Sequence, residues 1–597
     1  MIKGNSGIRK TDVINRRMFI IGVAKIIIFT GIIARLFSLQ VNENKKYLTL
    51  SDKNRIREWK LPPIRGDIVD YFGNIIAGNL KVYQLHIIPE QVENFNYLLT
   101  RLKTLLNLSD KKIKKIIKLK NKLKPWESII VSENLSWGDF LKINNYLYDL
   151  VGVKPVMTIS RNYPFSEVYT HILGYVSQPN EEEILANETV QERFVSGMKI
   201  GKLGLEKTLE NHLIGTNAIQ RYEVNAYGKR IKQIFVNKGV SGKNFRTTLD
   251  AEVQNYAAEL IKDVSASVCV MDIFSGDIVA MTSSPTYNPN AFVHGIGQKE
   301  WKYLLNHRDK PLTNKAIAGL YPPGSTIKTI VALSALENDI ASTNQSVICK
   351  GSIDFYGQKF HCWKKKGHGS MNMRTAIQRS CDTYFYEIAR KLGIDRLSET
   401  AKKFGLGSKV LDGFVEERSG VVPNTKWKKK YIGQNWYLGE TLHSGIGQGY
   451  FLSTPLQLCL MTAQIANGGF KIKPRIIFDG KKNSSIKDYA DFRNNFPNDP
   501  LPVDLLISNF GLQPLFRNQE NINFVKDAMF AATNEAGGTS FRSRYNDQKF
   551  MFAGKTGSSQ VKRFTALQRE LEIKQKDIDY KDRDHALFVA FAPYKDP

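Results

Sequence analysis

The stretch Tyr321-Pro-Pro-Gly-Ser-Thr-Ile-Lys328 decides how the rest of the chain is interpreted. Its prolines and glycine are turn residues, and the apolar run Thr326–Leu336 that follows predicts a buried helix. Ser325 therefore falls at a helix N-terminus, where backbone N–H groups favour negative charge. Lys328 lies on the same face of the first turn. A serine beside a buried amine suggests an activated nucleophile, because a desolvated lysine can accept the hydroxyl proton.

Ser-x-x-Lys on its own is a weak signal. It recurs where chance in a lysine-rich chain is the simpler explanation, at Ser109/Lys112, Ser484/Lys487 and Ser559/Lys562. The copy at Ser325 is followed by two further motifs, Ser380-Cys381-Asp382 and Lys555-Thr556-Gly557-Ser558. In this order, and each at a loop or strand, the three motifs match the set found in β-lactamases and penicillin-binding proteins.

Length, charge and cysteine content narrow the classes of protein to consider. A chain of 597 residues can form two or more domains with cores of their own. The formal charge of +28 is explained either by an overall abundance of lysine or by attraction to an anionic membrane or polymer. We find no zinc finger or other nucleic-acid module, so nucleic acid is not an expected partner. Five cysteines are too few for a disulfide scaffold.

The first residues predict a membrane anchor. Residues 1–17 are polar and basic, and residues 18–41 form an apolar run interrupted by Lys25 and Arg35. The run is long enough to span a bilayer, and no small-x-small cleavage site follows it. We expect an uncleaved anchor with a cytoplasmic tail, so that the rest of the chain is exported. The alternative is a buried helix of a globular domain.

Two larger regions follow the anchor. Residues 42–245 have mixed helix and strand signals, with an amphipathic basic helix at Lys111–Lys124 and no paired nucleophile and base. Residues 246–597 contain all three motifs. In this region Ser267–Ser283 predicts a β-hairpin, and Phe552–Ser558 predicts a strand that carries the third motif. We expect a non-catalytic domain followed by a catalytic one.

Four potential metal ligands cluster between the first two motifs: Cys349, Cys362, His368 and Cys381. Three thiolates and an imidazole form a closed tetrahedral set for Zn²⁺. In an exported chain the alternatives are a disulfide with one free thiol, or buried thiols without a role. We favour one structural zinc that fixes the loop carrying Ser380, and we expect no organic cofactor. His361 is interpreted as a neighbour of the cluster, and Cys269 and Cys459 as core residues.

The chain resembles the class B penicillin-binding proteins, and within them the elongation-specific group, over almost its whole length. The three motifs carry the resemblance together with Arg65-Gly-Asp-Ile68, Arg161-Asn-Tyr-Pro164, His171-Ile-Leu-Gly-Tyr175, Gly204-Leu-Glu206, Ile446-Gly-Gln-Gly-Tyr450, Thr454-Pro455 and Asp584-His-Ala586. It implies an α+β fold with a transmembrane helix, an elongated α/β pedestal of the dimerisation type at 42–245, and a penicillin-binding transpeptidase domain at 246–597. In the last of these, an antiparallel sheet is flanked by helices.

By this resemblance the chain is expected to be a peptidoglycan D,D-transpeptidase that cross-links stem peptides during cell elongation and is inhibited by β-lactams. It implies catalytic roles for Ser325, Lys328, Ser380, Asp382 and Lys555, and substrate binding by Thr556, Gly557 and Ser558. Asp382 stands where many relatives have asparagine, a variant typical of the elongation-specific group. Members of this group are also understood to hold a zinc at the cysteine and histidine cluster.

The resemblance also implies a protein partner and a cellular location. The chain has no identified glycosyltransferase domain, so a RodA-type glycosyltransferase of the elongation complex is the implied partner. The implied location is the bacterial inner membrane, with a single span, a cytoplasmic N-terminus and a periplasmic catalytic domain. Relatives continue past the strand predicted at Ala586–Ala592, so the catalytic domain is expected to lack a final strand and helix.

Two other functions fit parts of the same pattern. One is a non-catalytic scaffold or β-lactam sensor of the same fold, which would keep its partners without forming cross-links. The other is a serine β-lactamase. The anchor, the additional domain and the absence of an identified deacylation base argue against a β-lactamase.

Overall fold

The computed structural model describes residues 8–45, 56–125, 127–195, 197–224, 230–480, 513–562 and 575–595. Along these residues an N-terminal helix is followed by a mixed α/β region and then by a helix-rich region that carries the three motifs. This arrangement confirms the predicted mixed, α+β fold class.

The N-terminal helix α1 extends over Ile8–Phe37 and continues into a π-helical turn, Ser38–Asn42. The span Arg16–Asn42 is long and apolar enough to cross a membrane, and none of it is buried against the rest of the chain. The alternative of a buried globular helix is therefore wrong. The helix begins before the predicted anchor at 18–41 because the chain has neither glycine nor proline between Ile8 and Arg17 to interrupt it.

The region after the anchor contains the strands β1 (Ile56–Leu61), β2 (Ile68–Val69), β3 (Ile75–Ile87), β4 (Ile129–Leu135), β5 (Val153–Asn162), β6 (Val176–Ser177), β7 (Ile200–Gly201), β8 (Ala218–Val224), β9 (Arg230–Asn237) and β10 (Phe245–Arg246). One sheet has the order β10-β2-β3-β4, with β5 also paired to β3, and a second has the order β1-β8-β9. The strands β6 and β7 pair with each other. All pairs are antiparallel except β10 with β2.

The helices of this region are α2 (Phe95–Leu106), α3 (Asp110–Lys122), α4 (Trp137–Asn145), α5 (Thr170–Leu173), α6 (Glu181–Leu185), α7 (Glu188–Arg193), α8 (Gly204–Thr208) and α9 (Glu210–Leu213). The first three pack on β3, β4 and β5 around a core of their own. In α3 the apolar Ile116 is buried while most of its lysines are exposed, which confirms the predicted amphipathic helix.

The motif-bearing region has eight described strands: β11 (Ala266–Met271), β12 (Ile278–Ser284), β13 (Val347–Cys349), β14 (Ser352–Phe355), β15 (Gln358–His361), β16 (Gly369–Met371), β17 (Ala553–Ser559) and β18 (His585–Phe591). They form the antiparallel pairs β11–β12, β13–β16, β14–β15 and β17–β18. The first pair is the hairpin predicted at Ser267–Ser283, and β17 is the predicted strand of the third motif.

The helices of the same region are α10 (Ala251–Ile261), α11 (Pro289–Val293), α12 (Gln298–Asn306), α13 (Lys315–Ala318), α14 (Lys328–Glu337), α15 (Met373–Gln378), α16 (Asp382–Leu392), α17 (Ile394–Lys403), α18 (Thr425–Ile432), α19 (Leu438–Gly445), α20 (Pro455–Ala466) and α21 (Gln519–Asn534). Side chains 328–335 of α14 are all buried, because the helix is apolar all round and is enclosed by neighbouring helices. The burial confirms the predicted buried helix and gives the first motif a rigid base.

A shared core joins the two large regions. Ile68 and Tyr163 of the first region lie in one apolar cluster with Met281 and Leu456 of the second. The catalytic region is therefore packed against the pedestal through buried contacts, and its site is positioned by both.

Candidate active site and metal cluster

The turn that carries the first motif is fixed by two neighbouring segments. The Gly324 N–H donates to the Gly447 carbonyl at 2.9 Å, and a Cβ at position 324 would lie 2.5 Å from the Ser558 carbonyl oxygen. Glycine is required there by this close approach and by its φ of +55°. The nucleophile candidate, Ser325, therefore sits where the segments containing Gly447 and Ser558 meet.

The local conformation at Ser325 differs from the prediction. The serine lies in a 3₁₀ turn, Gly324–Ile327, and α14 begins only at Lys328. The Lys328 N–H donates to the Ser325 carbonyl, the i to i+3 bond of a 3₁₀ turn. The expectation that Ser325 opens an α-helix is corrected accordingly: the serine precedes that helix by one tight turn.

The Lys328 amine is completely buried and points toward the second motif. It donates to the Ser380 hydroxyl at 3.1 Å, to the Ser380 carbonyl at 3.0 Å and to Asp382 Oδ1 at 2.6 Å. Ser380 has a φ of +53°, a left-handed conformation that is uncommon outside glycine. No hydrogen bond of the Ser325 hydroxyl is found among the described residues. In this conformation the Lys328 amine therefore bonds the second motif and not Ser325.

Lys555, from the third motif, is the second buried lysine of the site. Its amine donates to the Thr556 carbonyl at 3.0 Å, and its side chain has no solvent exposure. Burial, aided by the neighbouring charge of Lys328, holds the pKa of Lys555 well below its usual value, while Asp382 acts in the opposite direction. Two lysines and one carboxylate thus share one enclosed region, so an anionic group that entered it would favour the protonated form of Lys555.

Strand β17 brings the rest of the third motif against the first. A Cβ at Gly557 would lie 3.0 Å from the Thr326 side chain, so the absence of a side chain at this residue eases the close approach of the strand to the turn. The Thr556 hydroxyl bonds the Thr539 hydroxyl at 3.0 Å. Ser558 accepts at its carbonyl from the Gln448 side chain at 2.8 Å, which ties β17 to the segment beside Gly447. All eight predicted catalytic and substrate-binding residues therefore belong to the segments that meet here.

The four predicted metal ligands come together beside the second motif. One ligand atom from each of Cys349, Cys362, His368 and Cys381 can be chosen so that all lie within 4.8 Å of one another. His368 Nδ1 is 3.6 Å from Cys349 Sγ and 3.5 Å from Cys362 Sγ. Its other nitrogen is buried and has no hydrogen-bond partner among the described residues. A hydrogen bond from Cys381 lowers the pKa of the Cys362 thiol to about 5. Buried sulfur and nitrogen donors at this separation fit a tetrahedral Zn²⁺.

The other cysteines and the neighbouring histidine lie outside this cluster. The five cysteines are all free, which gives no support to the alternative of a disulfide. Cys269 and Cys459 pack against the core shared by the two regions, as predicted, and burial raises the pKa of both thiols. His361 is exposed at the end of β15.

Other copies of Ser-x-x-Lys lack the features of the first motif. Ser109 caps the exposed N-terminus of α3, and Lys562 pairs with Asp582 at the surface. The pair Ser484/Lys487 lies outside the described residues. Ser109 therefore lies on a solvated face, as the simpler interpretation predicts, whereas Ser559 is buried at the end of β17 and only its lysine is at the surface.

Three side chains at the site were not predicted from the sequence. Trp363 donates its backbone N–H to Asp382 Oδ2 at 2.9 Å and its indole N–H to the Ser380 carbonyl at 3.0 Å. Gln448 and Thr539 support β17 through the bonds given above. A tryptophan directly after a candidate ligand, Cys362, was the available signal for the first. For Gln448 the available signal was the quoted motif Ile446-Gly-Gln-Gly-Tyr450, to which no role was assigned. For Thr539 the signal is only in the tertiary contacts.

Comparison with known proteins agrees with the geometry. Residues 266–597 match the family described as penicillin binding protein transpeptidase domain, and residues 60–247 match the penicillin-binding protein dimerisation domain. The peptidoglycan D,D-transpeptidase MrdA of Haemophilus influenzae is 32% identical over 97% of this chain and 87% of its own length.

Solved structures are similar over most of the chain. The complex of penicillin-binding protein 2 with MreC from Helicobacter pylori has a TM-score of 0.74 at 28% identity, covering 91% of this chain and 93% of that one. A structure described as a peptidoglycan synthase complex that coordinates polymerization and crosslinking has a TM-score of 0.62 at 25% identity, covering 91% and 89%.

The chain belongs to the penicillin-binding protein transpeptidase family. Its two family domains and its full-length relatives make it a class B member that acts as a serine D,D-transpeptidase in peptidoglycan synthesis. Within that class it is of the penicillin-binding protein 2 type, the type also known as MrdA.

Proposed function

We propose that Ser325 is the nucleophile of this transpeptidase and that Lys328 serves it as the base. The observation that carries the proposal is the buried Lys328 amine, which follows the Ser325 turn and bonds both Ser380 and Asp382. In acylation, Ser325 Oγ attacks the carbonyl carbon of the penultimate D-alanine of a stem peptide and gives its proton to the amine. The peptide C–N bond then breaks, and the terminal D-alanine leaves.

The leaving amine needs a proton, and Ser380 is placed to deliver it. Its hydroxyl is 3.1 Å from the Lys328 amine, so a proton taken by Lys328 can pass through Ser380 to the departing nitrogen. Asp382 pairs with the same amine and keeps it directed at this hydroxyl. The side-chain amine of a neighbouring stem peptide then attacks the acyl carbonyl, and Ser325 regains its proton as the cross-link forms.

The third motif binds substrate in this proposal. Backbone N–H groups of Ser325 and Ser558 would form the oxyanion hole, for which one donor typically contributes ~3 kcal/mol. Lys555 supplies positive charge toward the substrate carboxylate, and the Thr556 hydroxyl exchanges its bond with Thr539 for one to that carboxylate.

Labelling with a fluorescent penicillin tests these roles. The full chain in detergent micelles should form one covalent adduct, and Ser325→Ala should form none. Incubation with peptidoglycan stem peptides should give cross-linked dimers only with the unaltered chain. A chain that takes the label but gives no dimers, even with its partner proteins, would support the alternative of a β-lactam sensor. A chain that takes no label would support a scaffold.

We further propose that Cys349, Cys362, His368 and Cys381 hold one structural Zn²⁺. The support is the set of buried sulfur and nitrogen donors within 4.8 Å of one another. A bound zinc would hold the segments that carry its four ligands together and would take no part in the reaction. Because Cys381 lies between Ser380 and Asp382, and Trp363 next to Cys362 bonds both, the cluster fixes the second motif.

Metal analysis tests the zinc proposal separately from activity. One zinc per chain should copurify, and Cys349→Ser with Cys362→Ser should lower that content and the melting temperature. Cys269→Ser with Cys459→Ser is the matched control and should keep the zinc. A metal-free protein whose thiols titrate as a disulfide would contradict the proposal.

Membrane topology and partners follow from the proposed activity. We propose that α1 anchors the chain in the bacterial inner membrane with residues 1–17 in the cytoplasm, because the basic residues lie before the apolar span. The catalytic region then faces the periplasm, where its substrate is found.

Relatives are seen in a complex with MreC and in a peptidoglycan synthase complex. We propose that this chain also joins an elongation complex, with a RodA-type glycosyltransferase. Labelling of introduced cysteines in intact cells tests the membrane orientation. Copurification with the glycosyltransferase tests membership of the elongation complex.

A further inference from the structure

A cleft of about 460 Å³ lies on the catalytic region apart from the Ser325 site. Its walls come from the end of α17, the segment that leads from α17 to α18, and α18 itself. It is lined by Lys402, Gly407, Ser419, Gly420, Val422, Asn424, Lys426, Trp427, Lys430 and Tyr431. None of the catalytic or zinc-cluster residues takes part, so the cleft needs an explanation of its own.

The lining is positively charged and contains no acidic residue. Three lysines face the cleft: Lys402 on one wall, and Lys426 and Lys430 one turn apart on α18. Within the part of the chain that the structure describes, none of their amines lies within 4.0 Å of a carboxylate. Asp395, at the start of α17, accepts from the backbone N–H and the hydroxyl of Thr425. The amine of Lys430 lies 5.2 Å from the centroid of the Tyr431 ring, so its described neighbour is aromatic rather than acidic. Positive charge that converges on a concave surface favours an anionic ligand.

Two aromatic side chains accompany the lysines. The rings of Trp427 and Tyr431 are 6.0 Å apart, and Tyr431 is 67% exposed. Aromatic faces pack against flat apolar surfaces such as the C–H face of a sugar ring, while lysines bind carboxylates. This combination fits a ligand that is both ring-containing and acidic better than it fits a simple ion.

The cleft is built on a fixed frame. The Gln457 side chain donates to the Ser408 and Ser419 carbonyls at 2.7 and 2.8 Å, which holds the segment between α17 and α18. Asn424 caps α18 by accepting from the Trp427 N–H. On the inner side of α18, the buried Lys428 donates to Glu440 at 2.5 Å. The lining residues are therefore positioned in advance of any ligand.

One aromatic contact connects the cleft to the active site. The Trp427 ring lies 5.5 Å from the Tyr450 ring, and Tyr450 ends the segment whose Gly447 and Gln448 bond the Ser325 turn and β17. A ligand bound in the cleft would therefore lie on the side of the catalytic region that includes Tyr450 and the segment bonded to the Ser325 turn.

We propose that this cleft binds a carboxylate-bearing sugar–peptide unit of the peptidoglycan strand, outside the stem peptide that reacts at Ser325. The inference rests on the transpeptidase function, which makes such polymers available to the catalytic region. The lysines take the carboxylates, and Trp427 and Tyr431 pack against the sugar.

A binding experiment on the acylated protein tests the proposal. The full chain in detergent micelles is first treated with benzylpenicillin to close the Ser325 site, and is then titrated with a soluble disaccharide tetrapeptide by calorimetry. Lys426→Gln/Lys430→Gln should weaken binding at least fivefold and abolish its dependence on salt. Lys429→Gln is the matched control: this lysine is exposed on the same helix but does not line the cleft, and binding should stay within twofold.

The outcomes separate this inference from the proposed function. The cleft proposal would be overturned if the double variant and Lys429→Gln bound the disaccharide tetrapeptide equally well. If both variants were also labelled normally by penicillin, the proposed function would be unaffected. Failure of every form to label at Ser325 would overturn the function instead. Tighter binding of inorganic phosphate or of anionic lipid vesicles than of the disaccharide tetrapeptide, at equal ionic strength, would point to a phosphate-bearing ligand and overturn the assignment to peptidoglycan.

Discussion

Two buried clusters of ionisable side chains in this protein differ in their ratio of basic to acidic groups. In the pedestal, Arg65 and Arg161 face Glu206 and Glu210, with the Tyr163 hydroxyl also donating to Glu206. In the catalytic region, Lys328 and Lys555 face the single carboxylate of Asp382. The first cluster has two guanidinium groups for two carboxylates, and the second has two amines for one carboxylate.

The arrangement of hydrogen bonds shows the same contrast. Arg65 makes five hydrogen bonds to the two glutamates. Burial alone would lower the pKa of Arg65, but the negative charges of the glutamates outweigh burial and raise it above its usual value. Apart from Arg161 Nη2, the polar atoms of these four side chains have partners. Lys555, by contrast, donates only to the carbonyl of its neighbour Thr556 among the described residues, and its pKa is held well below normal. A satisfied cluster stabilises the fold, whereas an incompletely paired one is ready to bind substrate and move protons.

The largest effect is expected at Lys328. Lys328→Met removes the proposed base, so acylation of Ser325 by a fluorescent penicillin should slow by about 10³-fold in the folded fraction of the protein. Stopped labelling reactions measure the rate. Lys526→Met, which removes a partly buried lysine bonded to the Ala466 carbonyl, is the control and should keep the rate within threefold. A loss of less than tenfold in Lys328→Met would contradict the assignment of the base.

The balanced cluster should respond in stability instead. Glu206→Gln leaves two buried arginines short of a negative charge, and we expect the free energy of unfolding to fall by about 3 kcal/mol. Denaturant titration measures this, and the folded fraction should still label with penicillin at the normal rate. Glu58→Gln breaks the exposed pair with Arg221 and should cost less than about 1 kcal/mol. Equal losses in the two variants would contradict the comparison.

A buried histidine beside a lysine offers a third case. Burial and the positive charge of Lys315, opposed in part by a bond to the Pro285 carbonyl, lower the pKa of His171 to about 4. Below the ordinary histidine pKa of about 6.5 the unfolded chain takes up a proton that the folded chain does not, so stability falls as the pH decreases. Between pH 7 and pH 5 this loss should be about 2 kcal/mol. In His171→Asn that part of the pH dependence should be absent, and an unchanged slope would show that His171 is not its source.

The smallest effect is expected from removing the one negative charge at the catalytic cluster. Asp382→Asn keeps an oxygen that can accept from Lys328 but removes the ion pair, so we expect acylation to slow about tenfold. The same labelling assay measures the rate. Asp354→Asn, on the exposed hairpin β14–β15, is the control and should have no effect. A normal rate in Asp382→Asn would show that orientation of the amine does not need the charge.

Much of the architecture could be predicted from local sequence. The hairpin β11–β12, the amphipathic helix α3 and the buried helix α14 each have a hydrophobic period and turn residues that suffice to indicate them. The 3₁₀ turn at Ser325 could not be predicted, because it depends on how closely Gly447 and Ser558 approach Gly324. Contacts between distant segments leave little trace in local periodicity.

By itself, the sequence determined which residue types are available and in what order: a serine and lysine after a turn, two later motifs, four metal-ligand candidates and an apolar N-terminal span. These follow from spacing and composition, which act over a few residues. Only the tertiary structure decided that Lys328 bonds Ser380 and Asp382, that Gln448 ties β17 to the nucleophile's turn, and that Trp363 links the cysteine cluster to the second motif. The physical reason is that these bonds join residues far apart in the chain, which only packing of the core brings within hydrogen-bond distance.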